Sequence, residues 1–375
     1  MTNPPPPGWE QPHTGPRHPF GEQQSSYGFE PAAHSHSLGQ PPAPGQNKGL
    51  KLLLIGIAVL LVIAISVGVT LIFTRTDGGT DPTAATNATA TGNTPSSQDA
   101  SPISIITEDP TCEPWRPIND TLVDAQHKGW AERDFTLPAS NWTQQERSMH
   151  EEVADAMRRA ADQTTDLIQI TPNRIMRELY EQSIAYWRAY ADSIPNYELK
   201  DNSLAVTASD TSGAIVTICA AIDYRSAAKR GPLVPGVDPK LSPAPPKDPA
   251  NVEPFLSSTG NEVCAEWTAI SDRFDDETRE WRESDGNQPA SEWTPERRAM
   301  TEKVASIMLQ YADSIQSLGE RSGNATLYDF ATLAAQYFRA YTKAIPTYTS
   351  ADSYLSATAS YANFIVYNAC AAVKG

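Results

Sequence analysis

The chain has 375 residues, enough for two or three domains, and its formal net charge is −16 at pH 7. Residues 1–103 hold four Lys or Arg against six Asp or Glu, so most of the excess negative charge lies beyond them. An acidic surface repels phosphate groups, which argues against binding nucleic acid or anionic lipid headgroups over a broad face. A local basic pocket is still compatible with this charge.

Residues 1–49 form a polar segment that opens with four consecutive prolines, Pro4 to Pro7. The segment is rich in Pro, Gly, Gln, Ser and His and has no periodic apolar pattern, so it cannot bury enough surface to offset its ordering entropy. We predict a disordered cytoplasmic tail. The functional alternative is a polyproline ligand for an SH3-like or WW-like cytoplasmic partner.

An unbroken apolar run without any charge extends from Leu52 to Phe73. At about 1.5 Å per residue, a helix of this length reaches roughly 33 Å and crosses a hydrocarbon core of about 30 Å. The run starts too late and is too long for a secretory signal peptide, so residues 50–73 are predicted to be an uncleaved signal-anchor helix. Ala64 and Gly68 have the small-xxx-small spacing that permits a homodimer, although such pairs are common in transmembrane helices.

The cysteines decide the predicted orientation of this anchor. Lys48 and Lys51 on one flank against Arg75 on the other favour a cytoplasmic N-terminus only weakly. No cysteine precedes Cys112, so all four thiols lie beyond the anchor, as expected if that side is oxidising. We therefore predict a single-pass protein of the plasma membrane with its C-terminus outside. Residues 74–109, rich in Thr, Ala and Ser, are the predicted stalk.

From Cys112 onward the chain repeats itself at an offset of 151 residues. The segment PASNWTQQER at 138–147 returns as PASEWTPERR at 289–298. Other pairs at this offset are Trp130 and Trp281, Trp187 and Phe338, Tyr190 and Tyr341, Pro195 and Pro346, Tyr197 and Tyr348, Asp201 and Asp352, and Cys219 and Cys370. This period is too long for a solenoid unit, so the pattern indicates a duplicated domain, with repeat 1 at 110–226 and repeat 2 at 262–375.

Each repeat is predicted to contain four helices, so the expected fold is all-α, with two tandem four-helix bundles. The second helix should start at a capping box formed by Thr143 and Glu146, and its counterpart at Thr294. Its apolar positions follow steps of three, four and seven in both copies, at Met149, Val153, Met157, Ala160 and Leu167 and at Met300, Val304, Met308, Tyr311 and Leu318.

The other helix boundaries are less clearly marked. The first helices are expected near 119–134 and 271–285, and the third helices after Thr171 and Ser322. Asp201 and Asp352 occupy the N-cap position expected for the fourth helices. Part of the fourth helix of repeat 1, AIVTICAAI, is also compatible with a strand.

Four cysteines allow three pairings, and the duplication selects one of them. Each repeat has one cysteine before its first helix and one late in its last helix, which predicts the disulfides Cys112–Cys219 and Cys264–Cys370. A redox-active pair is the alternative, but the chain has no C-x-x-C motif. The proline-rich linker at 227–261 is predicted to be a semi-rigid spacer, so the two bundles need not pack on each other.

The sequence contains no motif that indicates catalysis, a cofactor or a metal site. Beyond the stalk the only histidines are His127 and His150, both in repeat 1. Glu146 and His150 have a spacing compatible with metal ligation, but position 301 of repeat 2 is a threonine. We therefore predict that the protein is not an enzyme and binds no cofactor.

Three pairs of residues present in both repeats are the candidate contacts for a ligand or partner. Trp142 and Trp293 are candidates for an exposed aromatic contact, with packing over the bundle end as the alternative. Arg188 and Arg339 are candidates for binding an anion, with an ion pair to a neighbouring helix as the alternative. Tyr190 and Tyr341 would line a groove or pack in the core.

This layout of tail, signal anchor, stalk and extracytoplasmic domain resembles single-pass envelope proteins of actinobacteria, many of them uncharacterised. The resemblance implies a cell-envelope setting and no particular activity. We expect a membrane-anchored binding protein whose partner is an envelope protein or a glycan. We expect no nucleic-acid partner. The alternative is a ligand sensor that signals through the tail to a cytoplasmic partner, and an enzyme is the least supported class.

Overall fold

The computed structural model describes residues 101–240, 248, 251–256 and 259–373, which lie in one compact unit of the chain. The predicted tail at 1–49, the predicted anchor at 50–73 and the predicted stalk up to residue 100 lie outside the described residues. So do most of the central linker positions that follow residue 240.

The described residues form nine α-helices and no β-strand, which confirms the all-α prediction. Their bounds are α1 Cys112–Gln126, α2 Gln144–Ile170, α3 Arg174–Ser193, α4 Asn202–Asp223, α5 Ser226–Arg230, α6 Cys264–Arg282, α7 Pro295–Arg321, α8 Ala325–Ala344 and α9 Ser353–Ala372. Within repeat 1, helices α1 to α4 pack each against the next, and α1 also packs against α4. Helices α6 to α9 pack in the same way in repeat 2.

The helix starts confirm some of the sequence expectations and correct others. Thr143 forms the predicted capping box with Glu146, so α2 begins where expected. The third helix is capped by Asn173 rather than Thr171, because the Asn173 side chain accepts hydrogen bonds from two backbone N–H groups of the first turn. Its counterpart in repeat 2 is Asn324, not Ser322.

The first helices begin earlier than expected, and the fourth helices are capped differently. Helix α1 begins at Cys112 rather than near residue 119 and continues through Pro117, and α6 begins at Cys264 rather than near residue 271. Asp201 precedes α4 as expected but makes no side-chain cap to it, since its carboxylate accepts a hydrogen bond from the backbone N–H of Glu198. Asp352 uses its carboxylate in the same way, with Thr349 as donor.

Both predicted disulfides are present. Cys112 is bonded to Cys219 and Cys264 to Cys370, and no free cysteine exists in the described part of the chain. Each bond ties the first helix of a repeat to its last helix.

The two repeats pack directly against each other, mainly through α4 and α9. Asp210 contacts Asn368, while Thr217, further along α4, contacts Thr358, which comes earlier on α9. The two helices are therefore antiparallel. Thr217 on α4 and its repeat-2 counterpart, Asn368 on α9, both lie on this contact face. The two repeats therefore use the same side of their last helices, as the subunits of a two-fold symmetric dimer do.

Gly213 allows the close approach of α4 and α9 at the centre of this face. A Cβ atom on Gly213 would lie 2.5 Å from Cε1 of Tyr361. We expect Gly213→Ala to lower the free energy of unfolding by about 1–2 kcal/mol in chemical denaturation, because overpacking outweighs the helix propensity that alanine adds. In a Tyr361→Ala background the same change should be neutral or stabilising. Equal losses in both backgrounds would contradict a close contact here.

The segment that leads into repeat 1 lies on repeat 2. Ile103 pairs with Val237 in an isolated antiparallel bridge, and the Gln336 side chain of α8 donates hydrogen bonds to the carbonyls of Ile103 and Pro235. The backbone N–H of Ile106 donates to the Tyr337 hydroxyl. The segment 103–106 therefore contacts repeat 2 just before the chain enters repeat 1.

One helical stretch in the described residues has the length and apolar composition to cross a membrane, Leu199–Asp223. It contains α4, and 67% of its most apolar window is buried. One side of α4 faces the core of repeat 1 and another faces α9, so burial on two sides accounts for its apolar composition.

Candidate functional site

The structure places Trp142 and Trp293 at equivalent ends of the two repeats, each after a short 3₁₀ turn. Both side chains are buried, with 8% exposure. Their indole N–H groups donate to the carbonyls of Leu137 and Gln288, at 3.0 and 2.8 Å. The rings also lie against Tyr197 and Tyr348. This placement corresponds to the packing alternative, in which the indole covers the end of the bundle.

The two candidate arginines form equivalent ion pairs. Arg188 lies 2.8 Å from Asp162, and Arg339 lies 2.7 Å from Asp313, so each arginine binds a carboxylate on the preceding helix. Both carboxylates are largely exposed. This placement corresponds to the ion-pair alternative rather than to a free anion site.

The two candidate tyrosines are buried in equivalent hydrogen bonds. The Tyr190 hydroxyl accepts from the indole N–H of Trp130 at 2.9 Å, and the Tyr341 hydroxyl accepts from Trp281 at 3.1 Å. Burial raises the pKa of both hydroxyls. Neither side chain lines an open groove, so both belong to the core.

His150 is one chemical difference between the two repeat interiors. Its ring stacks on Trp142 with centroids 3.9 Å apart, and its Nδ1 lies 3.2 Å from the Tyr190 hydroxyl. Burial, together with the nearby charge of Arg133, lowers the pKa of His150 to about 4, so the ring is neutral at pH 7. In repeat 2 this position is Thr301, whose hydroxyl bonds to its own helix. No group of metal-ligating side chains occurs among residues that the structure describes.

The same end of repeat 1 carries two exposed apolar side chains that the sequence analysis missed. Phe135 is 43% exposed and Leu199 is 49% exposed. We call these two residues the repeat-1 tip. Tyr197 joins their segments, because its hydroxyl donates to the Phe135 carbonyl at 2.8 Å and Leu199 follows two residues later.

Repeat 2 has the same backbone arrangement without the apolar side chains. The Tyr348 hydroxyl donates to the carbonyl of Gly286, the counterpart of Phe135, at 2.6 Å. The counterpart of Leu199 is Ser350. The sequence did hold a signal for this site, but it lay in the differences between the repeats rather than in their matches.

Comparison with known proteins identifies the family. No solved structure matches the chain. An uncharacterized protein of Mycolicibacterium smegmatis (strain MKD8) is 41% identical over 361 residues, covering 95% of this chain and 92% of that protein. Residues 94–374, which cover repeat 1 and all but the last residue of repeat 2, match the family described as mycobacterial ESX-1 associated protein. The chain therefore belongs to the mycobacterial ESX-1 associated protein family.

Proposed function

We propose that this protein is a membrane-anchored, extracytoplasmic interaction protein of the mycobacterial envelope that acts in the context of ESX-1 secretion. Family membership supports the secretion context. The two disulfides support an oxidising compartment for both repeats. The apolar run Leu52–Phe73 supports the anchor. In this proposal each repeat is a four-helix bundle, and the pair forms one binding body.

The observation that carries the proposal is the asymmetry between the repeat ends. The two repeats share the Trp–Tyr packing and the Tyr hydroxyl to carbonyl hydrogen bond at this end. They differ in what they present to solvent, which is Phe135 and Leu199 in one repeat and Gly286 and Ser350 in the other. Since the fold does not require exposed apolar groups at this place, we assign the repeat-1 tip to the contact with an envelope protein.

The charge and the aromatic side chain of the repeat-1 tip both fit a protein partner. The acidic charge of the ectodomain argues against nucleic acid or anionic lipid as the partner. Phe135 can provide the aromatic anchor that is typical of the centre of a protein interface. Truncating such an anchor commonly costs more than 1 kcal/mol of binding free energy, which is roughly a fivefold or greater loss of affinity.

Photo-crosslinking from the native membrane tests this assignment. A photoreactive amino acid at position 199 of the full-length protein should capture a defined envelope protein, and the same residue at position 350 should not. We expect Phe135→Ser with Leu199→Ser to reduce co-purification of that partner at least fivefold, because the apolar anchor is removed, with unchanged thermal stability.

The matched control is Leu309→Ser, which removes another exposed apolar side chain, 41% exposed, on α7 of repeat 2. It should leave co-purification unchanged. Equal crosslinking at positions 199 and 350, or an unchanged yield with the double variant, would contradict the assignment of the repeat-1 tip.

One observation favours the sensor as a second candidate function. Ile103 and Ile106 bind repeat 2 just before the chain enters repeat 1, so a shift between the repeats would move the end of the predicted stalk. A sensor also requires the cytoplasmic tail. If deleting residues 2–49 left every phenotype of the intact protein unchanged, signalling through the tail would be untenable.

A further inference from the structure

A buried cluster of two carboxyl groups and one guanidinium lies between the repeats. Glu178 on α3 and Asp329 on α8 are counterparts at the repeat offset, with exposures of 2% and 0%. Arg174, also buried, donates a hydrogen bond from Nη2 to Asp329 Oδ1 at 3.0 Å, and its Nε lies 3.0 Å from Oδ2. The same Nε lies 3.7 Å from Glu178 Oε1. The guanidinium is therefore engaged mainly with Asp329.

The charges of this cluster balance only if one carboxyl group keeps its proton. With both acids ionised, a single guanidinium would face two carboxylates in a site that is almost closed to solvent, and like charges so close cannot both be stable there. Glu178 is the acid with the weaker contact to Arg174. Burial and the facing Asp329 raise the pKa of Glu178 well above its usual range, and Arg174 only partly opposes this shift. Asp329 is the facing group that can accept a hydrogen bond from the protonated Glu178.

The described groups around Glu178, on its own helix and on the helices packed against it, do not supply a second positive charge beside Arg174. Glu181, on the same helix, adds negative charge. From α4, Thr211 contacts α3 as an uncharged hydroxyl, and Asp210 bonds instead to Asn368. The charged side chains of α2 that reach α3 are Arg158 and Asp162, which pair with Asp192 and Arg188, about 15 Å or more along α3 from Glu178.

We propose that Glu178, Asp329 and Arg174 form a proton-binding site that links the association of the two repeats to pH. When the repeats are closed, the proton on Glu178 bonds to Asp329. When that proton is released, two carboxylates face each other across the interface and the repeats loosen. The site does not depend on the function proposed for the repeat-1 tip.

The direction of the pH dependence follows from the two states of Glu178. In an opened or unfolded chain its carboxyl group is solvated and has a pKa near 4.5. Between that value and the raised value, the closed form holds one more proton than the open form. The closed form therefore loses stability as pH rises, by a factor of ten in the equilibrium constant per pH unit.

The first test compares the pH dependence of unfolding in full-length protein and in two Glu→Gln variants. Glu178→Gln retains a hydrogen-bond donor toward Asp329 but cannot titrate. We expect the wild type to lose an extra factor of ten per pH unit, from about pH 5 upward, relative to this variant. Glu151→Gln, at an exposed position on α2, should follow the wild type. Parallel curves for wild type and Glu178→Gln would overturn the proposal.

The second test detects the proton directly and does not depend on unfolding. In infrared difference spectra at pH 7, Glu178→Gln should lose one protonated-carboxyl band that the wild type and Glu151→Gln both show. Asp329→Asn should lose the same band, because Arg174 is then free to hold Glu178 as the carboxylate. If this band is the same in wild type and in both interface variants, Glu178 is ionised and no such proton site exists.

Discussion

Replacing Arg230 with Ala should lower the free energy of unfolding by about 3–5 kcal/mol, because it leaves a buried carboxylate without its partner. Arg230, on the short helix α5, donates from Nε and Nη2 to the two carboxylate oxygens of Asp352 at 2.9 and 2.8 Å. It also donates to the hydroxyl and the carbonyl of Thr347. The two charged side chains are 5% and 1% exposed, so water cannot replace the lost contacts.

The measurement is chemical denaturation of the full-length protein, with Arg188→Ala as the matched control. Arg188 pairs with an aspartate that is 72% exposed, so its removal should cost no more than about 1 kcal/mol. Similar losses for the two variants would show that the Arg230–Asp352 pair is not a buried connection between the linker and repeat 2.

Removing one disulfide should lower the free energy of unfolding by about 4 kcal/mol. The bonds close loops with sequence separations of 107 and 106 residues, and loops of this length give about 4–5 kcal/mol in the chain-entropy treatment. We therefore expect Cys112→Ser with Cys219→Ser to lose about as much stability as Cys264→Ser with Cys370→Ser.

The comparison of the two double variants under identical denaturation conditions is the sharper part of this test. A loss below about 1 kcal/mol for either pair would contradict a stabilising cross-link in that repeat. Reduction of the wild type provides an independent check, since it removes both bonds without changing a residue.

The features within each repeat were largely predictable from the sequence because they depend on local patterns. Thr143 and Glu146 form a cap over three residues, and the duplication placed the cysteines in equivalent positions. Errors arose where a local pattern was ambiguous. Thr171–Pro172 resembles a helix start, yet Asn173 provides the cap. The helix predicted at α4 is confirmed, although its burial on two sides obscures the helical period in the sequence.

The packing of the repeats on each other could not be predicted from their shared residues. Gly213 at the centre of the contact corresponds to Phe364 in repeat 2, and Tyr361, which lies against Gly213, corresponds to Asp210 in repeat 1. The interface therefore depends on positions where the copies differ. The candidate contacts that both repeats keep, such as Trp142 and Tyr190, are buried, which is expected of residues that the common core needs. The exposed Phe135 and Leu199 are specific to repeat 1.

We propose that both repeats lie on the extracytoplasmic side of the membrane, where a partner can reach the repeat-1 tip. Labelling of intact cells with a membrane-impermeant thiol reagent tests it most directly, using the full-length protein with a cysteine at the exposed position of Glu151 or, separately, at Ser25 in the predicted tail. We expect Glu151→Cys to be labelled in intact cells and Ser25→Cys only after permeabilisation. Labelling of Ser25→Cys but not Glu151→Cys in intact cells would contradict the account.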